Sequence, residues 1–366
     1  MAIRFDQGDW ARIRKTHEAW WKGELDRPLV HVHARVYPLN ERAERSAPLL
    51  SQENCADFSH SPEALIDRLD AELSRYEFLM DAYPMVNFNC FGPGVAAAFC
   101  GAKLDTSSGR VWFFPEEQKP IEEISIRYDP ENIWTKRIKA IYRAGGERWK
   151  GNVLMSIPDL GGVMDIVATF VGTENLLMAL YDAPEEVKRL TGEAHTAFME
   201  AYRDLSRTLT EIGNPGFSNW DGLYSEAPSY VTQSDFSYMI GPDMFRTFVA
   251  PELASSAARI KNAVYHMDGI GQIPHLDQLL AIKDIKGIQW VHGSGTPALT
   301  NWDELLEKIL ASGVKLLSCN QRSDGTPTEL SKRNPGQHRY GDWYFHANEP
   351  DKVKAYAAQF GMEVDV

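Results

Sequence analysis

From Gly151 onward, short apolar runs alternate with segments of helical period, and this alternation limits the fold more than any other feature of the chain. The run from Gly151 to Ile157 reads as a strand ending at Pro158-Asp159-Leu160-Gly161-Gly162. Helical patterns follow near 163–171, 173–181 and 184–211, the last with Pro184 in its first turn. Gly216 to Gly222 reads as another strand end, and 242–262 as a helix with a proline near its start. Strands near 263–267, 287–292, 314–319 and 342–347 then interleave with helices near 275–282, 302–312 and 350–360. Upstream, the spacing predicts helices over 7–23 and 62–82 and strands over 29–33 and 87–91. Strand-then-helix repetition builds parallel sheets covered by helices. About eight candidate strands favour a closed (β/α)8 TIM-type barrel over an open doubly wound sheet. No GxGxxG follows the first strand, so dinucleotide binding has little support. Residues 1–80 are expected to form an N-terminal helical extension, packed on a single catalytic barrel spanning 81–366.

Charge and cysteine usage narrow the function classes. The formal net charge of -13, with no basic block to offset it, argues against nucleic acid and anionic membranes as partners. No apolar run approaches the roughly 20 residues that span a bilayer, and Met1 to Asp6 has no signal-like core, so a cytoplasmic location is expected. The four cysteines show no CxxC spacing and form no disulfide framework. Cys90 and Cys100 read as small buried side chains, while Cys319 falls at a strand end. A small molecule is the expected ligand, and a homodimer is allowed but not dictated.

In a barrel of this kind the chemistry sits at the C-terminal ends of the strands. Polar residues at those ends are the candidates: Asn87 and Asn89, Asp159, Trp220 and Asp221, His266 and Asp268, Gln289 and His292, Cys319 and Asn320, His346 and Asn348. Tyr265-His266-Met267-Asp268-Gly269 is the densest of these stretches. Residues two apart on a strand share a face, so His266 and Asp268 point the same way. Such a pair can bind a metal, hold a substrate group or move a proton. His266, Asp268, Cys319 and His346 are the residue types that bind zinc, and a catalytic zinc takes about three protein ligands. A hydrogen-bonded pair that orients substrate without a metal is the alternative. Asn89, Asp159, Trp220, Tyr238, Trp290 and His292 are candidate substrate-binding residues. Asp235, Phe236 and Tyr238 precede the helix at Pro242, as a lid segment or a polar cap.

Four stretches resemble the uroporphyrinogen decarboxylase / cobamide-dependent methyltransferase superfamily. They are Trp20-Trp21-Lys22-Gly23-Glu24-Leu25-Asp26-Arg27-Pro28, the block from Ser234 to Pro251, Tyr265 to Gly269, and Trp343-Tyr344-Phe345-His346 with Pro350 beyond it. The resemblance implies a (β/α)8 barrel. In the methyltransferase branch it also implies a zinc that activates a thiol, and a methyl group exchanged with a corrinoid carried by a partner protein. His266 matches the first zinc ligand of that branch. Asp268 stands where the second is normally cysteine, and His346 stands near the third, also normally cysteine. A His/Asp/His set is harder and less thiophilic than a cysteine-rich one. The arginine-rich signature of the decarboxylase branch is missing, with Arg27 its single counterpart. The expected function is therefore corrinoid-linked methyl transfer to or from a small molecule, with His266, Asp268 and His346 as catalytic residues and Cys319 as a reserve ligand. The alternatives are a decarboxylase or lyase without cofactor, using Asp268 or Asp159 as the charged group and His346 as acid, and a non-catalytic partner of a corrinoid protein.

Overall fold

The computed structural model describes residues 2–39, 46–294, 302–317, 329–330, 332–346 and 348–365. It is an α/β protein with parallel sheets. Helix α1 (Gln7–Lys22) starts at a capping box, in which Asp6 accepts from Gly8 and Asp9 backbone N–H groups, and stops at Gly23 in the left-handed region. Its buried stripe is Trp10, Ile13, His17 and Trp20. Strand β1 (His31–Arg35), α2 (Pro62–Leu73) and β2 (Tyr76–Met80) follow. Residues 1–80 thus contribute two strands as well as helices. Next come β3 (Met85–Val86), α3 (Val95–Phe99), the hairpin β4 (Lys103–Asp105) and β5 (Trp112–Phe114), α4 (Ile133–Trp149) and β6 (Leu154–Met155). Helices α5 (Val163–Val171), α6 (Thr173–Asp182) and α7 (Pro184–Glu211) lead to β7 (Ser229–Gln233).

A helix beginning at Pro242–Met244 passes through a π turn over Phe245–Val249 and continues as α8 (Ala250–Ala257). The remainder alternates: β8 (Asn262–Asp268), α9 (Leu276–Ala281), β9 (Ile285–Val291), α10 (Asp303–Ala311), β10 (Lys315–Leu317), β11 (His338–Arg339), β12 (Trp343–His346) and α11 (Pro350–Ala358).

The largest sheet is parallel throughout, in the order β11-β10-β9-β8-β7. β1 pairs with β12 in parallel and with β2 antiparallel, and an isolated parallel bridge from Leu29 to Arg339 joins this group to β11. β3 pairs with β6 in parallel, extended by Ser156 N–H to Val86 O and Ile157 N–H to Ser218 O. Among the described residues the strands group as one five-stranded, one three-stranded and two two-stranded sheets.

Both faces of the five-stranded sheet are covered. Tyr230, Ala263, Tyr265, Met267, Ile288 and Leu316 face the helices in the main core. On the other face Val231, Val264, Leu317 and Leu29 pack with Leu223 against Trp20. Trp20 donates to His338 O and its ring lies under Lys315 Nζ, while Trp21 donates to Tyr224 O. Lys315 and His338 are the first residues of β10 and β11, so α1 stoppers the N-terminal end of the sheet and does not cover its C-terminal end.

Three sequence expectations change. Residues 62–82 are a helix and then a strand, because Tyr76 and Phe78 pair across to β1 and Ser74 ends the helix. The expected strand over 87–91 is β3 followed by a 3-10 turn, Phe88–Phe91. The expected strand over 216–222 is an irregular turn with one antiparallel bridge, Phe217 to Ser225, and the true strand of that region is β7. Among the described residues no single helix is long and apolar enough to cross a membrane. The α5–α6 pair passes such a test only jointly and is bent by 101°.

Candidate functional site

The register of the sheet sets the site. Gln233, His266 and Gln289 pair across β7, β8 and β9 and so share one face near the strands' C-terminal ends. His266 Nδ1 lies 2.7 Å from Gln289 Oε1, and the ring meets Trp220 edge-on at 5.0 Å and 90°. Asn87 Nδ2 donates to Trp220 O, which ties that turn to the end of β3. With Nδ1 engaged, His266 Nε2 is left facing Asp268, whose Oδ2 is 3.8 Å away.

Asp235 completes the group. One ligand atom each from Asp235, His266 and Asp268 lie within 4.8 Å of one another. Asp268 Oδ1 is sealed from solvent and has no hydrogen-bond partner. A cavity of about 220 Å³ opens beside the group, lined by Asp235, Tyr238, Asp268 and His292 with Gly269 and Gly293 at its edge. The Tyr238 ring lies against Gly269 and Gly271: a Cβ added at Gly269 would come within 2.8 Å of Tyr238 Cε2, and the residue already has φ +84°.

A second layer of carboxyls stands behind. Asp159 accepts from Gly161 N–H at 2.9 Å and from Gln233 Nε2 at 3.4 Å, and its backbone oxygen receives the N–H groups of Gly94 and Val95. Asp165, in the first turn of α5, accepts from Asp235 N–H at 3.0 Å and Phe236 N–H at 2.8 Å. Burial pushes Asp159 up to about 6, against the opposing pull of His266. Burial and then Asp235 push Asp165 up to about 7. Asp235 is raised too, by desolvation first, then by Asp268 and Asp159 against His266. Burial alone would lower His266, but Asp268, Asp235 and Gln289 outweigh it and raise the imidazole. Asp159, Asp165, Asp235 and His266 are thus all shifted towards holding a proton, the carboxyls by burial and the imidazole by its acidic neighbours.

The structure brings together His266, Asp268, Tyr238 and His292, with Asp159 and Trp220 against them. His346 is not part of the group: it pairs with Arg35 on the β12-β1-β2 sheet and is exposed, and the carboxylate that joins His266 and Asp268 is Asp235. Trp290 is likewise corrected. It lies on the face of β9 opposite Gln289, buried in the helix-side core against Trp302. Asn89 sits in the 3-10 turn after β3, its Oδ1 sealed and without a partner. Cys319 lies outside the described residues. Asp235 was legible only as a residue near a helix start. Its approach to His266 depends on β7, whose five residues are all buried and so lack the alternation that marks a strand.

No protein-family model matches the chain, and no curated protein matches it. Among solved structures it is similar to a methyltransferase from Methanosarcina mazei, with a TM-score of 0.60 and 14% identity over 95% of this chain and 98% of the other. At that identity the likeness establishes a shared fold over nearly the whole of both chains.

Proposed function

We propose that the protein is a methyltransferase that moves a methyl group to or from a small molecule at the cavity beside His266. Its parallel strands would belong to a (β/α)8 barrel of the corrinoid-linked type, with the methyl group exchanged with a corrinoid protein. The observation that carries the reading is the Asp235–His266–Asp268 group at the C-terminal end of the sheet, in a chain that shares its fold end to end with a methyltransferase.

The donor set fits a divalent ion such as zinc. It offers one imidazole nitrogen and two carboxylates within 4.8 Å, and one carboxylate oxygen is sealed without a partner. Gln289 holds the far nitrogen of His266, as the outer partners of metal-binding histidines do. A bound ion would polarise a substrate heteroatom and lower its pKa. The oxygen-rich set suits a harder substrate atom than a thiolate. The chain's own residues do the rest. Trp220 fixes the imidazole plane, Tyr238 walls the cavity, and Asp159 can hold a proton behind His266.

Metal analysis of purified protein tests this, together with methyl transfer from methylcobalamin followed by cobalamin absorbance. One equivalent of divalent metal and chelator-sensitive demethylation of methylcobalamin are expected. Metal-free protein with full activity would sink the metal role. The raised Asp159 and Asp165 carboxyls favour a second reading, a cofactor-free lyase in which a buried acid protonates a carbanion. Turnover of a carboxylic acid substrate unaffected by strong chelators would select it.

A further inference from the structure

We propose that Asp165 is a positioning residue for the candidate metal centre, setting the place of Asp235 by capping the turn that carries it. The inference rests on the metal reading above. Asp235 opens a 3-10 turn, Asp235–Met239, whose own N-cap residue, Ser234, makes no side-chain capping bond and keeps its Oγ buried without a partner. The first N–H groups of such a turn have no partner inside it. Asp165 supplies both missing acceptors from a different element: one carboxylate oxygen takes Asp235 N–H, the other Phe236 N–H. A carboxylate that grips two successive backbone N–H groups fixes the orientation of that peptide, and with it the direction in which the Asp235 side chain leaves.

The approach of α5 to the end of β7 depends on a missing side chain. A Cβ at Gly162, the N-cap of α5, would overlap both Asp165 Oδ2 and Gln233 O. Gln233 is the last residue of β7 and pairs with His266. Glycine at 162 therefore lets one helix start touch both strand end and turn, so that Asp235 and His266 are set from a common point. Asp165 stands to Asp235 as Gln289 stands to His266: an outer partner that orients an inner one.

The test is zinc affinity, measured by competition with a chromophoric chelator, on wild type, Asp165→Ala, Asp165→Asn, Gly162→Ala and His266→Ala, with circular dichroism and thermal melts on each. Wild type should bind one zinc and His266→Ala should not. Asp165→Ala should bind roughly 10- to 100-fold more weakly, as loss of an outer partner does. Asp165→Asn, which keeps one acceptor, should fall between. Gly162→Ala retains the carboxylate but displaces it, and should weaken binding as well, which keeps the test open if Asp165→Ala does not fold. Folded Asp165 and Gly162 variants with wild-type zinc affinity and merely lowered melting temperatures would overturn the proposal and leave Asp165 as a loop cap. Wild-type protein that binds no zinc would overturn both this proposal and the metal reading.

Discussion

Gln289 Oε1 and His266 Nδ1 meet at 2.7 Å across neighbouring strands, at paired positions in the register. The amide oxygen accepts the Nδ1 proton, so the lone pair of a neutral imidazole stands on Nε2, on the side of Asp268. Gln289→Leu should free the ring to turn and weaken metal binding by about 10- to 100-fold, without the complete loss that His266→Ala gives. Isothermal titration with zinc distinguishes the two, and equal affinity in Gln289→Leu and wild type would refute the orienting role.

Asp235, not His346, should prove to be the third ligand. Metal content should collapse in Asp235→Ala and Asp268→Ala and stay at the wild-type level in His346→Ala, because His346 lies exposed on another sheet. Elemental analysis of the three variants reads this directly, and metal lost from His346→Ala would contradict the assignment.

Asp159→Asn should stabilise the protein at alkaline pH. Its carboxyl is raised from 3.8 to about 6 by burial, so the folded state binds the proton more tightly than the unfolded state. Stability from this group is greatest below pH 3.8, falls as pH rises towards 6, and stays reduced above that by about 3 kcal/mol at most. Asparagine keeps the acceptor for Gly161 N–H and removes the charge. Melts at pH 4 and pH 8 should show a gain for the variant at pH 8 alone. A loss there would mean that the charge itself is stabilising.

His17 should act with the opposite sign. It is fully buried in α1, with Nδ1 on Ile13 O, and burial followed by repulsion from His31 lowers it from 6.5 to about 3. The unfolded chain takes up the proton first, so stability is whole above pH 6.5 and is lost as pH falls towards 3, by up to about 5 kcal/mol. His17→Gln should flatten that acid limb of the stability curve. An unchanged slope between pH 6.5 and 4 in urea unfolding would rule this group out as its source.

Gly269→Ala should destabilise by about 1–3 kcal/mol, because alanine is strained at φ +84° and its Cβ runs into the Tyr238 ring. Removing the ring in Gly269→Ala/Tyr238→Ala should recover the steric share, giving a double mutant less damaged than the two single effects added. Strict additivity in denaturant midpoints would show that the ring does not touch this backbone.

Much of the architecture was legible because it is written in period and punctuation. Helix α7 falls on 184–211 as expected, since Pro184 starts it and Val187, Leu190, Ala194 and Phe198 repeat at helical spacing. β8 was legible from Tyr265 to Gly269, and with it the shared face of His266 and Asp268. What sequence could not supply was pairing. β7 has no alternation to announce it, and without β7 beside β8 nothing brings Asp235 to His266. His346 failed for the same reason: its residue type and strand suited the site, but β12 pairs with β1 rather than extending the row of Gln289 and His266. Trp290 was misplaced by one step of the pleat, the smallest shift that moves a side chain to the opposite face.

The seal that α1 makes over the start of the sheet also imposes an order of events. The indole N–H of Trp20 bonds to His338 O, 318 positions later in the chain. That hydrogen bond therefore cannot form until β11 has been made, although Leu29, Leu223, Val231 and Val264 are there to cover the ring earlier. A nascent chain stopped short of β11 would leave the Trp20 indole without its acceptor and α1 less firmly held, a state open to whatever binds exposed aromatic side chains.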